Sequence, residues 1–546
     1  MDKAIGFSLT KQPFEPEVPP WLSAYPWLDV LHISQGAWNL TVWGHGDLSK
    51  FLTPEGYVVG YSGVELGWLT REPLQNRGVL IKLGENATVV NDFLGQLPVF
   101  YGQRSGVPFV SSCEESVILG LGGVTLDRAR LVQYLIFQSA VGTRTLWREI
   151  DKLYANRNLC VTTAGNFRCA PQEPLRFFSM HPKEVEDRIH EISQRTIRRY
   201  TDPLGDVHLP LTRGKDSGIL LAYMQRPERI HARTMPSSWP LRRSEDVVIT
   251  TARCANTGVR DHQIIDFPNQ SYQRYYKPQI EFAGTPLSST QAYIFGIASW
   301  IGAEGNRWPV ISGSCGDITA GSGMARVLEM YKIRRTVSKR EQFKLACYCH
   351  SKEWGREAFD SCIAYDTVSE VQRSGIQAEW AALWDATEAP ASRHRSTSVR
   401  LDMVRLRNRG SQYITYAWSA TDLWGSYVSP FTDREYVTTM LSIPLESREF
   451  CTAQRQLGAN RFSGIFPNGG VSPDRWDVSN TLNNTTISEE ALWPLVADGS
   501  KPAHPYFVPA GIQGLYAKAL SGDAKSFFLL HSLQPLAWAI DKGYVK

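Results

Sequence analysis

The sequence predicts a mixed α/β protein, with a β-rich N-terminal third and an α/β remainder, on three observations. One is the stretch Leu209-Pro210-Leu211-Thr212-Arg213-Gly214-Lys215-Asp216-Ser217-Gly218. An apolar, strand-like run ends there in a small polar loop, and an apolar, helix-like run from Ile219 to Met224 follows. Another is the N-terminal third itself, where short apolar or alternating runs such as Gly56–Gly60 and Val79–Lys82 are broken by Gly, Asn and Pro. The third is size: 546 residues suffice for two or three domains, each with its own core. The 42% hydrophobic and 21% charged residues are those of an ordinary soluble globular protein.

Composition also excludes. A net charge of +4 is small for this length and argues against nucleic-acid binding as the main task. The N-terminus lacks a basic segment followed by an apolar core, so no secretory signal is expected. The closest approach to a membrane span, Ser526 to Ile540, is interrupted by His531, Ser532, Gln534 and Pro535. The expectation is therefore no membrane partner and a cytoplasmic location. Nine cysteines without a CxxC pair imply neither a disulfide framework nor a structural zinc. Cys347-Tyr348-Cys349-His350 has no second ligand pair to complete a metal site and reads as incidental. The 17 tryptophans read as core and surface anchors.

The loop at 211–217 carries the chemistry. A strand–loop–helix junction points backbone N–H groups and the helix dipole at an anion, and glycine lets the backbone approach it. Lys215 adds a positive charge, Ser217 a hydroxyl and Asp216 a carboxylate able to hold Mg²⁺. The spacing is not that of a Walker A loop. Read without that chemistry, the stretch is an exposed turn of mixed charge with Asp216 as a helix N-cap.

On these residues the loop resembles the S-G-G-x-D-S pyrophosphate loop of the asparagine synthetase superfamily, ATP pyrophosphatases that activate a carboxylate as its acyl-adenylate. Thr212 stands for the Ser, Gly214 for the second Gly, Asp216-Ser217 match, and Arg213 replaces the first Gly. Ile311-Ser312-Gly313-Ser314-Cys315-Gly316-Asp317-Ile318 resembles the second signature, S-G-x-G-x-D-E, with Asp317 at the other Mg²⁺ ligand and Ser314 and Ile318 where acids stand. Ser429-Pro430-Phe431-Thr432-Asp433 and Met440-Leu441-Ser442-Ile443-Pro444 resemble the P-F-L-D and L-S-L-P segments. Arg233-Thr234-Met235 and Ser244-Glu245-Asp246 sit where the family has its adenine-side strand and an acidic helix start. The order and spacing hold over most of residues 185–460.

The N-terminal part resembles the family's glutaminase domain. Asn91-Asp92-Phe93-Leu94-Gly95-Gln96-Leu97-Pro98-Val99-Phe100-Tyr101 is similar to its R-D-x-x-G-x-x-P-L-Y-Y strand, Phe109–Glu114 to its F-A-S-E continuation, and residues 127–170 to its closing helix and strands. The nucleophile is missing: position 2 is Asp2, and the first cysteine is Cys113. A carboxylate without a thiol cannot form the thioester that releases ammonia from glutamine. The amine must then come from the substrate itself or from a second substrate.

The resemblance implies a glutaminase-like (Ntn-type) β-sandwich over 1–180 and an ATP-pyrophosphatase domain, with a parallel sheet and many helices, over 185–546. It implies ATP and Mg²⁺ as cofactors. Leu211, Thr212, Arg213, Gly214, Asp216, Ser217, Thr234 and Gly313 would hold the nucleotide, Asp216 and Asp317 the metal. Lys215, Ser314 and Arg475 would stand at catalytic positions. Arg213 has two expected consequences: its guanidinium clamps phosphate, or its side chain strains a loop built for glycine and leaves a non-catalytic nucleotide- or partner-binding relic.

Two glutaminase-dead branches remain. β-Lactam synthetases, which close an amino acid on itself, place a Tyr in the second signature, backed by a Glu about thirty residues later, as general base. Here Ser314 takes the Tyr position, and Glu341 and Glu353 have no hydroxyl partner. Pro473-Asp474-Arg475-Trp476-Asp477 occupies the region of a late catalytic lysine and offers Arg475; the next lysine is Lys501. Lasso-peptide cyclases close a precursor peptide's Asp or Glu onto its α-amine, which at a pKa near ~7.7–8.0 needs less help from a base. The Asp317-Ile318 pair is shared with the β-lactam branch. The leading expectation is a β-lactam-synthetase-like, tabtoxin-type included, antibiotic-biosynthesis cyclase of a small amino-acid substrate. The alternative is a lasso-peptide cyclase acting on a precursor peptide. A homodimer remains open.

Overall fold

The computed structural model describes residues 2–60, 74, 76–137, 142–235, 240–265, 271–286, 292–320, 396–448, 451–466, 509–521 and 523–546. Arg475, Glu341, Glu353, Lys501 and the Cys347–His350 cluster lie outside the described residues.

The N-terminal strands are β1 (Lys3–Lys11), β2 (Asp29–Gln35), β3 (Trp38–His45), β4 (Leu52–Thr53), β5 (Gly56–Val59), β6 (Val79–Leu83), β7 (Ala87–Asn91), β8 (Phe100–Arg104), β9 (Val107–Ser111), β10 (Asp151–Lys152), β11 (Arg157–Val161) and β12 (Phe167–Pro171). They form two six-stranded sheets, β10-β8-β9-β1-β3-β2 and β12-β11-β7-β6-β5-β4. Neighbouring strands pair antiparallel, as in β1 with β3 and β6 with β7. Alternation of side chains across each strand brings Phe7, Leu9, Leu40 and Val42 of one sheet against Tyr57, Val59, Ile81, Val89 and Leu159 of the other in one buried core. This is a β-sandwich. Helices α1 (Glu114–Leu121) and α2 (Arg128–Phe137) precede its last strands, so residues 127–170 hold a helix and strands as expected.

The turn after β7 shows why Asp92 and Gly95 are needed there. The Asp92 carboxylate accepts backbone N–H groups from Leu94 and Gln96 at 2.9 Å and from Gly78 at 3.4 Å. Gly95 takes φ +67°, and a Cβ there would lie 3.2 Å from Ala155.

The later part is built as α3 (Val185–Thr201), β13 (Val207–Pro210), α4 (Lys215–Tyr223), β14 (Ile230–Thr234), α5 (Pro240–Thr257), β15 (Asp261–Ile264), α6 (Ser271–Ala283), α7 (Ala292–Ala303), β16 (Pro309–Ile311), α8 (Gly316–Thr319) and, after residues 321–395, β17 (Ser426–Val428). The five strands form a parallel sheet in the order β15-β14-β13-β16-β17. Val207, Leu209, Ile230 and Ala232 face a core shared with Ile189, Ile219, Leu220 and Tyr436. The chain moves outward from β13 through β14 to β15, then returns to the other side of β13 for β16. That reversal opens a crevice at the carboxyl ends of β13 and β16, the place where open α/β sheets bind ligands.

Two features tie the parts together. The helices Pro509–Leu520 and Ala524–Asp541 pack on the sandwich side: Ile512, Leu529, Leu533 and Trp538 share a core with Phe100, Ile118, Leu131 and Trp147. The run from Ser526 to Ile540 is thus a buried helix, and among the described residues no helix is long and apolar enough to cross a membrane. Elsewhere Lys3 of β1 places its ammonium 2.5 Å from Asp422, whose other oxygen pairs with Arg77, all three side chains being almost fully buried.

Candidate functional site

The crevice begins from a fixed base. Leu211, buried, donates its N–H to Arg233 O at 2.9 Å, and the Thr234 hydroxyl donates to Leu211 O at 3.0 Å. The loop then folds on its own side chains. The Thr212 amide donates to Ser217 Oγ and the Gly214 amide to Thr212 Oγ1, each at 3.1 Å. Gly214 is the N-cap of α4, so Asp216 is not the cap considered above: it sits in the helix's first turn. Amides of a first turn lack intrahelical acceptors and face whatever anion approaches.

From below, Arg253 of α5 locks the loop. Its guanidinium donates to Thr212 O at 2.5 Å, Gly214 O at 2.8 Å and Ile465 O at 2.9 Å, and lies over the Phe466 ring at 5.0 Å. Burial lowers its pKa to about 10. Nothing local in the sequence marks Arg253, because its contacts lie about forty and two hundred residues away.

At Arg213 the structure shows an unstrained backbone and a paired side chain. Arg213 is not among the residues with positive φ, so the backbone there suits a side chain. Its guanidinium pairs with Glu245 Oε2 at 2.7 Å and Asp246 Oδ1 at 3.1 Å on α5. The Ser244-Glu245-Asp246 segment lies within α5, and its acids hold this arginine.

The second signature meets the first through glycine. A Cβ on Gly313 would lie 3.0 Å from Asp216 Cβ, and one on Gly316 2.7 Å from Asp216 Oδ1. Side chains at either place would push the Asp216 carboxylate away. Cys315 takes φ +67°, the left-handed conformation, at the position where the S-G-x-G-x-D-E pattern has its second glycine. Asp317 then stands in the first turn of α8.

Asp216 feels the charge of Asp317. Burial pushes the Asp216 carboxyl up to about 6, the Lys215 ammonium opposes this from 3.6 Å, and the charge of Asp317 adds to it. Burial works against the Lys215 ammonium, but Asp216, Cys451 and Asp317 outweigh it and raise its pKa. Gln454 Nε2 approaches Asp216 Oδ1 at 3.3 Å, and Cys451 Sγ lies 3.7 Å from Asp317 O, its thiol pushed up to about 11 by burial. Gln454 and Cys451 carried no sequence signal. Gly316 did, inside the quoted signature, but as an unassigned position.

Ser314 is buried beside this group, its hydroxyl 2.7 Å from Ser312 Oγ and its carbonyl accepting Ser429 Oγ at 3.1 Å. Asp433 caps the helix Arg434–Ser442 through the amides of Glu435 and Tyr436 and accepts Tyr200 Oη at 2.8 Å, a structural role. The structure therefore gathers Lys215, Asp216, Ser217, Gly313, Ser314 and Asp317 at one crevice, with Leu211 and Thr234 beneath it and Arg213 paired to α5.

Among the described residues, no three or more His, Cys, Asp or Glu side chains cluster as a metal centre. Two carboxylates whose charges oppose each other fit a Mg²⁺ ion, whose remaining ligands would be phosphate and water oxygens. A scan against protein-family models finds no match to the chain, and a search of the curated proteins finds none either.

Proposed function

We propose that the chain is an ATP- and Mg²⁺-dependent carbon–nitrogen ligase that adenylates a substrate carboxylate and closes it onto an internal amine. The observation that carries this reading is the convergence of Asp216, Asp317 and Lys215 at the carboxyl ends of β13 and β16, where glycines alone allow the approach. A buried acid whose pKa a neighbouring carboxylate raises, at a sheet's ligand-binding end, favours a cation between the two.

In this reading a substrate carboxylate oxygen attacks the α-phosphorus of ATP and pyrophosphate leaves. The substrate's amine then attacks the acyl carbon, AMP leaves, and one amine proton is lost. The first-turn amides of α4 and the Lys215 ammonium would face the departing pyrophosphate, while Thr212 and Ser217 keep the loop closed around it. Asp216 and Asp317 would hold Mg²⁺, which supplies charge neutralisation at the phosphates.

β-Lactam-synthetase-like closure of an amino acid is the leading form. One observation favours the second form, macrolactam closure of a precursor peptide as in lasso-peptide cyclases. The Ser314 hydroxyl is tied to Ser312 rather than poised as a base, which suits an amine that reacts with little help.

The test is the melting temperature with Mg²⁺ and an ATP analogue whose α–β bridge cannot be cleaved. A native state that binds nucleotide must be stabilised by mass action. A rise in the wild type that vanishes in Asp216→Ala supports the reading. No rise at millimolar nucleotide sinks it.

A further inference from the structure

Strands of a parallel sheet, covered on both faces, are expected to be apolar on both. Here β13 and β14 meet that expectation on one face only. Opposite Leu209 and Ala232, the alternate residues are His208, His231, Arg233, Asp261 and Gln263, adjacent in register: His208 pairs with His231, and His231 with Asp261. Beneath the end of α7 and the segment entering β16, this face forms an open pocket of about 580 Å³. It lies on the far side of the sheet from the core beneath α4, with His231 and Asp261 toward the amino ends of their strands and Arg233 and Gln263 toward the carboxyl ends. No step of the proposed chemistry uses it.

The pocket's cations are already committed. Arg233 is bidentate to Glu304, at 3.2 and 3.0 Å, and reaches Asp261 Oδ2 at 3.1 Å. His231 bonds Asp261 through Nδ1 at 2.5 Å and Asp206 through Nε2 at 3.1 Å. An anion would find these donors occupied. Asp261 and Glu304 line the pocket beside one guanidinium, and a third carboxylate, Asp206, stands behind His231. Two indoles complete the wall: Trp308 stacks on His231 at 3.9 Å, and Trp300 lies 5.6 Å from the Arg233 guanidinium carbon. His208, on the same face, is wholly buried with neither ring nitrogen bonded, its Nε2 3.9 Å from Glu304 Oε2. His208 lies behind the lining, against Trp308 and His231.

We propose that this pocket is a second ligand site, for an organic cation bearing a guanidinium group. A planar fork of donors matches exposed carboxylate oxygens, and its face can lie on an indole. The site stands independently of the chemistry proposed for the crevice.

Calorimetric titration with argininamide, beside its neutral isostere citrullinamide, tests this. Argininamide is expected to bind saturably at one site, at least tenfold more tightly than citrullinamide. Gln263 is exposed at the rim, so Gln263→Lys sets an ammonium in the mouth without removing a packing contact. That variant should melt like the wild type and bind argininamide at least tenfold more weakly. Saturating Mg²⁺ and the ATP analogue should leave the wild-type affinity unchanged. Equal affinity for the two amides, no binding at millimolar argininamide, undiminished binding in Gln263→Lys, or competition by nucleotide would each overturn the proposal.

Discussion

Asp92 and Asp216 are both aspartates whose carboxyl groups burial pushes up to about 6, yet they do opposite things. Asp92 sits in the turn after β7 and is met by three backbone amides, so every demand it makes is answered by the chain. Asp216 sits in the first turn of α4 facing a second carboxylate, with one amide and one ammonium nearby. The perturbed pKa alone does not separate them. What separates them is whether the surrounding groups complete the carboxylate or leave it beside another of the same sign.

The sharpest break of this comparison is in activity. Asp216→Ala or Asp317→Ala should lower AMP release about 10³-fold or more while the melting temperature stays close to that of the wild type, because both residues are only half-buried. Undiminished AMP release in either variant would remove the metal role. Asp422 belongs with Asp92, as an acid completed by its neighbours. Asp422→Ala strands Lys3 and Arg77 as buried charges and should cost about 3–5 kcal/mol in urea denaturation. Asp92→Ala should cost somewhat less, on the order of 3 kcal/mol for amides worth about 1–3 kcal/mol each when left unpaired. It should keep the nucleotide-induced rise in melting temperature, and loss of that rise would blur the distinction.

Acid titration gives a smaller effect. Burial holds His208 and His531 down to about 3. The unfolded chain therefore takes up their protons first, and the stability these residues contribute above pH ~6.5 is lost as pH falls toward 3. Asp92 and Asp216 act in the opposite sense, contributing stability at low pH that is lost as pH rises through 6. His531→Leu should therefore gain melting temperature relative to the wild type as pH drops from 7 to 4; a constant difference would refute this. Arg213→Gly should matter least, with AMP release changed less than about twofold, since its guanidinium is held by Glu245 and Asp246.

Much of the arrangement was legible in the sequence for a physical reason. The strand–loop–helix at 207–223 and the D-x-x-G turn at 92–95 are local, and their residue types answer to nearby backbone needs. Gly313 and Asp317 were legible through a pattern of closely spaced residues. Arg253, Gln454 and Cys451 were not, since each reaches the crevice from a helix distant in sequence. The packing of 509–541 against the sandwich was equally hidden: an apolar helix states that it is buried, not against what. The polar face at His208, His231 and Asp261 was present as residues, but only strand register put them side by side.

That last packing has a consequence for how the polypeptide is made. Leu529, Leu533 and Trp538 fill the same core as Phe100 and Trp147, and Lys546 N–H bonds Val124 O at 2.9 Å. Parts emerging early from a ribosome usually fold as units while the rest is still being synthesised. Here the early part lacks a wall until several hundred further residues have been added, a wait of tens of seconds at about 5–20 residues per second. During that interval Phe100, Leu131 and Trp147 are open to solvent and to chaperones, and a nascent chain halted before residue 524 should stay protease-sensitive even though its strands are all present.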